Sequence, residues 1–166
     1  MELYLIRHGI AVERDLETND AKRPLSDLGR KKTLKVARRL VEIGLNFEII
    51  LTSPLLRATQ TAEILQQAGL SAKVEIFPPL APGKDIQGWI DWYLQPRYNK
   101  REKDNSIALV GHQPDLGNWT ELLVTGRIQG KLILKKAGTI GVRISKLENP
   151  IGKSELFLLT SPKWLL

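Results

Sequence analysis

The stretch Leu3-Tyr4-Leu5-Ile6-Arg7-His8-Gly9 decides the architecture. A short apolar run bounded by polar residues reads as a strand buried on both faces of a sheet. In open α/β sheets, ligands bind just beyond the carboxyl ends of such strands. Arg7 and His8 fall at that edge, and their chemistry suits phosphate. Arginine grips phosphate oxygens with two prongs, a neutral imidazole nitrogen can attack phosphorus, and glycine lets backbone come close to a substrate. Taken alone, an Arg-His-Gly tripeptide reads sooner as a surface cap followed by a structural histidine, since short motifs recur by chance.

Two further stretches bear on that choice. Ile49-Ile50-Leu51-Thr52-Ser53-Pro54-Leu55-Leu56-Arg57 reads as a strand, a Ser-Pro helix start and a helix with Arg57 in its first turn. A helix N-terminus favours anions, and Arg57 adds a full charge there. Ile107-Ala108-Leu109-Val110-Gly111-His112-Gln113-Pro114 repeats the pattern of the first stretch: an apolar strand, then glycine and histidine, then a proline that can open a helix. The chain has 2 histidines, and both end a strand expected to be buried, which scattered structural histidines would rarely do.

These segments together resemble a known family. Arg7-His8-Gly9, Ser53-Pro54-Leu55-Leu56-Arg57-Ala58-Thr59-Gln60-Thr61-Ala62 and Gly111-His112 look like the three signature segments of the histidine phosphatase superfamily, also called phosphoglycerate mutase-like. The Arg23-Pro24-Leu25-Ser26-Asp27-Leu28-Gly29 segment, the short length and the ending Leu159-Thr160-Ser161-Pro162-Lys163 are similar to its SixA-type phosphohistidine phosphatases. The resemblance implies a catalytic set of His8, Arg7, Arg57 and His112. It implies a transient phosphohistidine on His8, with Arg7, Arg57 and His112 around the phosphoryl group and neither metal nor cofactor. Gly9, Ser53 and Gln113 are further candidates for contact with the substrate. The implied substrate is a histidine-phosphorylated protein, such as a phosphotransfer domain, and the product is inorganic phosphate.

Family members that cleave phosphate esters generally place a carboxylic acid after the third strand to protonate the leaving oxygen. Pro78-Pro79-Leu80-Ala81-Pro82-Gly83 has none, and the first acid beyond is Asp85. An alkoxide leaves poorly without a proton donor, whereas an imidazole nitrogen leaves far better, so a phosphoramidate substrate is favoured. Glu13 or Asp15 on the long first loop remains an alternative source of the proton. Two other functions stay open: a small-molecule phosphomonoesterase using Glu13, Asp15 or Asp85, and a non-catalytic phosphate-binding or docking module.

Composition bounds the rest. The chain has 166 residues, 42% hydrophobic and 26% charged, as expected for one soluble globular domain over 1–166. No apolar run approaches the roughly 18 residues of a membrane span, and no signal-type leader opens the sequence, so a cytoplasmic location is expected. With no cysteine, disulfide and thiol chemistry are excluded. Two well-separated histidines make a zinc site an unpromising reading.

The net charge of +7 draws on Lys22, Arg23, Arg30, Lys31, Lys32, Lys35, Arg38 and Arg39, and on Arg97, Lys100, Arg101 and Lys103. Most of the first group lies on a helix expected from 27 to 43, whose other side carries Leu34, Ala37, Leu40 and Val41. It reads as a solvated face, with docking of an acidic partner or attraction of anionic substrates as the sharper alternatives. No recognition motif or aromatic platform supports nucleic-acid binding.

The order of elements implies an α/β fold, a three-layer α/β/α sandwich with a mainly parallel sheet. After the first strand comes a long polar connection, residues 10 to 25, of the kind that serves as a lid. Ser26 is expected to cap the first helix and Gly44 to end it. Strands follow near 48–52 and 73–77, with a helix from Pro54 to about Gln67 between them, and Pro78 to Gly83 reads as a stiff loop that cannot be helix. A third helix buries Ile86, Trp89, Ile90, Tyr93 and Leu94 until Pro96 stops it. A fourth buries Leu116, Trp119, Leu122 and Leu123. Lys131 to Lys135, Thr139 to Ser145 and Glu155 to Thr160 read as strands, with antiparallel pairing at the sheet edge.

Overall fold

The computed structural model describes residues 1–14, 19–95, 105–145 and 149–166. Asp15, the Pro96 helix stop and the basic group Arg97, Lys100, Arg101 and Lys103 lie outside them. Six strands form one sheet: β1 (Glu2–Arg7), β2 (Ile49–Thr52), β3 (Val74–Ile76), β4 (Ser106–Gly111), β5 (Thr139–Arg143) and β6 (Glu155–Thr160). Their order is β3-β2-β4-β1-β5-β6. Strands β3, β2, β4 and β1 run parallel, while β5 and β6 are antiparallel to their neighbours.

The pleat of the strands sorts the core. Leu3, Leu5, Ile49, Leu51, Ile107 and Leu109 point to one face, where they meet Trp89, Ile90, Trp92 and Tyr93 of α3 (Gln87–Tyr93) and Leu116, Trp119 and Leu123 of α4 (Asp115–Thr125). Tyr4, Ile6, Ile50, Ala108 and Val110 point to the other. There they meet Val36, Ala37 and Leu40 of α1 (Asp27–Glu42) and Ala58, Ala62 and Leu65 of α2 (Leu56–Gln67). A short α5 (Pro162–Leu165) contacts α1. Full burial of such aliphatic side chains contributes about 2 kcal/mol each. The two-sided apolar runs of β1 and β4 therefore fix the middle of a three-layer sandwich.

Local chemistry starts and stops the helices as expected. Ser26 caps α1, its hydroxyl accepting from Gly29 N at 3.0 Å, and Gly44 follows in the left-handed region at φ 87°. Gly29 has a packing role as well, because a Cβ there would overlap the Ile10 carbonyl.

Three expectations are corrected. Helix α2 begins at Leu56 rather than Pro54, because Pro54 and Leu55 are spent turning the chain after β2. Pro78–Leu80 forms one 3-10 turn instead of a purely irregular loop; proline at its start needs no backbone donor. Residues 131–135 are not a strand. Their amides bond to side chains of α4 and of the loop before it, which leaves no ladder to join.

Candidate functional site

Parallel pairing of β1 with β4 places Arg7 opposite Gly111, and His8 N donates to Gly111 O at 3.0 Å. The next residue on each strand is a histidine, so the sheet itself sets His8 beside His112, with ring centroids 5.1 Å apart. Both are nearly sealed from solvent, at 6% and 4% relative exposure. Helix α2 brings Arg57, also buried, to the same point, and its Nε donates to His8 Nε2 at 3.3 Å. Ser53, at the end of β2, pairs its hydroxyl with His112 Nε2 at 2.7 Å.

One nitrogen of His8 is committed. Its Nδ1 lies 2.7 Å from Gly9 O. A carbonyl oxygen only accepts, so Nδ1 carries the proton and Nε2 holds the lone pair that receives the Arg57 Nε–H. Burial pushes the His8 pKa down to about 3; the Gly9 hydrogen bond opposes this, and His112, Arg57 and Arg7 reinforce it. Burial likewise takes His112 to about 4, helped by Arg57 and Arg7 against the opposing charge of Asp20. Both rings are neutral at physiological pH. At both histidines desolvation is the larger cause, ahead of the neighbouring arginine charges.

The remaining donors of Arg57 face the long first loop. Nη1 donates to Asp20 O at 2.8 Å and Nη2 to Asp20 Oδ2 at 3.0 Å, while Arg23 Nε donates to Asp20 Oδ1 at 3.1 Å. Burial alone would raise the Asp20 pKa, but the hydrogen bond and charge of Arg57, followed by those of Arg23, hold it below the usual carboxylate range. Asp20 belongs to the loop marked out in the sequence, yet sequence reasoning did not single it out. Its one available signal was the spacing to Arg23, three residues on.

The Thr59-Gln60-Thr61 run of α2 ties this loop and the end of β1 together. Thr61 Oγ1 accepts from Gly9 N at 3.0 Å and donates to Arg57 O at 2.7 Å, and Gln60 Oε1 accepts from Leu25 N at 2.8 Å. Gly9 also has a packing role. A Cβ there would collide with Thr33 Oγ1, so the glycine makes room for α1.

The segment 127–138 forms a strap across the ends of β1 and β4, held from below. Glu121 accepts backbone bonds from Gln129, Gly130, Lys131 and Leu132, the last two at 2.7 and 2.9 Å. Those bonds hold its carboxyl down to about 2. Gln113 Nε2 donates to Leu132 O at 2.7 Å and Oε1 accepts from Leu134 N at 3.3 Å, so its amide serves the strap at both ends. Arg7 Nη1 donates to Leu134 O at 2.8 Å. Arg7 Nε and His112 Nδ1 are buried and have no protein partner. Buried polar atoms without a partner call for an explanation, and a bound anion or water would supply one here.

The structure thus gathers Arg7, His8, Ser53, Arg57 and His112, with Gly9 and Gln113 in support. Of the proposed acids, Asp85 is not brought in, and Asp15 lies outside the described residues. Asp85 is exposed, accepts from Gln87 N at 3.0 Å, and lines a cleft with Pro78, Pro79, Gly83, Lys84 and Gly88 that includes none of these residues. Glu13 is exposed, without a hydrogen bond or ion pair among the described residues. Among the described residues no group of His, Asp and Glu side chains could hold a metal ion, and no helix is long and apolar enough to cross a membrane.

A buried neutral histidine with an unprotonated Nε2, an arginine donating to it and a second histidine on the adjacent strand make a candidate phosphoryl-transfer site. Residues 3–81 match the family model described as histidine phosphatase superfamily (branch 1). Phosphohistidine phosphatase SixA of Escherichia coli (strain K12) is 32% identical over 118 residues, covering 70% of each chain. An uncharacterised protein of Picosynechococcus sp. is 48% identical over 167 residues, covering 100% of this chain and 99% of the relative. Among solved structures, that of the protein histidine phosphatase SixA complexed with tungstate superposes with a TM-score of 0.83 at 26% identity, covering 100% of both chains. The chain belongs to the histidine phosphatase superfamily. Within it the relationship is to SixA-type members, and the protein is a phosphatase of this superfamily.

Proposed function

We propose that the chain is a phosphohistidine phosphatase, releasing phosphate from a histidine-phosphorylated signalling or phosphotransfer protein through a covalent intermediate on His8. The observation that carries this reading is the fixed tautomer of His8: Nδ1–H is held by Gly9 O and the Nε2 lone pair is aligned by Arg57. In the first step Nε2 attacks phosphorus, the N–P bond to the substrate imidazole breaks, and that imidazole leaves neutral after taking a proton from solvent. His8 becomes a cationic phosphohistidine whose Nδ1–H still donates to Gly9 O. Water then attacks phosphorus, the Nε2–P bond breaks, and inorganic phosphate leaves with His8 neutral again. The stabilising groups are guanidinium and imidazole, which meet charge on the non-bridging oxygens. The step as written needs no metal.

The leaving group supports the substrate class. Asp85, the first acid after β3, lines a separate cleft, and Asp20, which pairs with Arg57, is held ionised by two arginines and is a poor proton donor. A substrate whose leaving atom is an imidazole nitrogen fits such a site better than an ester. The test is phosphate release from a phosphohistidine protein, set against a phosphoserine peptide and a sugar phosphate, with His8→Ala as control. Release confined to the phosphohistidine protein and abolished in His8→Ala is expected. Turnover of the esters in preference would overturn the substrate class, and phosphate binding that survives His8→Ala with no turnover of anything would indicate a binding module.

A further inference from the structure

Beside His8 the strap makes a tight turn. Gly138 N donates to Lys135 O at 2.8 Å, closing a turn whose central residues are Lys136 and Ala137. Ala137 sits at φ 58°, which a type II turn demands and an L-residue tolerates poorly. The turn is pinned to the end of β1 by its backbone. Ala137 N is shared between Arg7 O at 3.0 Å and His8 O at 3.2 Å, and Arg7 N donates to Gly138 O at 3.1 Å. Lys136 therefore leaves the chain next to the nucleophile.

The side chain of Lys136 is exposed, and no carboxylate pairs with it among the described residues. Desolvation, and after it the charges of Arg7, Arg23 and Arg57, lower the pKa of its ammonium group. Charge counting then separates it from the inner site. Arg7, Arg23 and Arg57 against Asp20 leave a net charge equal and opposite to that of a phosphoryl dianion. Lys136 is surplus to that balance, and it sits at the rim rather than in the buried set.

We infer that Lys136 forms a second-anion subsite, taking a carboxylate that flanks the phosphorylated histidine of the substrate protein. The assignment rests on the phosphohistidine phosphatase reading above. It makes the strap a selector: the phosphoryl group is read by the ends of β1 and β4, and its acidic neighbourhood by the turn. An exposed charge pair of this kind gives selectivity of a few-fold, expressed in substrate binding.

The experiment compares two phosphohistidine peptides, identical except that aspartates flanking the histidine in one are asparagines in the other. Wild type should prefer the acidic peptide by about fivefold in kcat/KM. Lys136→Met should erase that preference through a rise in KM for the acidic peptide, Lys136→Arg should restore it, and Lys135→Met should retain it. Absence of a preference in wild type, or its survival in Lys136→Met, overturns the assignment, as does equal loss on both peptides. If wild type cleaves neither peptide but turns over phenyl phosphate, the phosphohistidine reading fails. Lys136 is then judged by the same ratio between 4-carboxyphenyl phosphate and phenyl phosphate.

Discussion

Arg57 Nε donates to His8 Nε2 at 3.3 Å, so the arginine holds the nitrogen that attacks phosphorus in the proposed mechanism. In the free enzyme this bond orients the lone pair. When phosphate binds, the same guanidinium can move its donors to the non-bridging oxygens. Replacement by lysine keeps the charge but removes the planar fork and the Nε donor. Arg57→Lys should lower kcat by about a hundredfold, in the range found for removing one preorganised donor. Single-turnover measurements of phosphoenzyme formation would check this; a variant within fivefold of wild type would show that charge alone suffices.

The buried histidines set the pH response. An unfolded chain takes up protons on histidine near pH 6.5, whereas the folded protein does so only near 3 at His8 and near 4 at His112. Between these limits the unfolded state binds more protons. Stability is therefore fully present above pH 6.5 and is lost progressively as pH falls through that window. His8 itself stays neutral through that window. Corrected for spontaneous N–P hydrolysis, kcat/KM should hold below pH 5 until the fold gives way, while Tm declines from about pH 6 downward. An acid limb near pH 6.5 with Tm unchanged would mean that His8 is solvated.

Asp20 neutralises part of Arg57 and Arg23. With Asp20→Asn both guanidinium groups would keep their charge for an incoming anion. Competitive inhibition by inorganic phosphate should tighten several-fold, with kcat within about threefold of wild type. A collapse of kcat with unchanged phosphate affinity would instead make Asp20 a proton carrier in the reaction.

Glu121 gives the strap its shape by accepting four backbone amides. Glu121→Gln can offer only one acceptor oxygen and no charge. Amide exchange at residues 129–132 should accelerate strongly in that variant, and the acidic-peptide preference assigned to Lys136 should weaken with it. In wild type the support is present above pH 4.5 and fades as pH approaches 2, where the carboxyl takes up its proton. Exchange rates identical to wild type would show that the strap is held without Glu121.

How much of this was legible in the sequence depended on whether a residue's task was local. The runs ending at Arg7-His8 and Gly111-His112 announce themselves, because strands buried on both faces are apolar throughout and break sharply at the sheet edge. Ser26 and Gly44 are equally readable, since a cap acts on its own helix. Asp20 and Glu121 were not readable. Each looks like an ordinary surface acid, and its partners lie 37 residues on at Arg57, or in the strap. The spacing of Leu132 and Leu134 imitates a strand because the strap, too, alternates between facing the protein and facing solvent. What separates the two is the destination of the amides, which hydrophobic periodicity does not encode.

The pairing of β1 with β4, and of β1 with β5 beyond it, also governs when the site can exist. His8 lies near the beginning of the chain, yet its neighbour His112 and the turn at Ala137 that clasps it are reached only after most of the chain has been laid down. Closing contacts so distant in sequence is the slow part of folding a topology of this kind. A nascent or partly folded chain would thus carry the nucleophile without its pocket, a reactive imidazole still open to water. Catalytic competence arrives with the last long-range closure, and activity reports on completed folding.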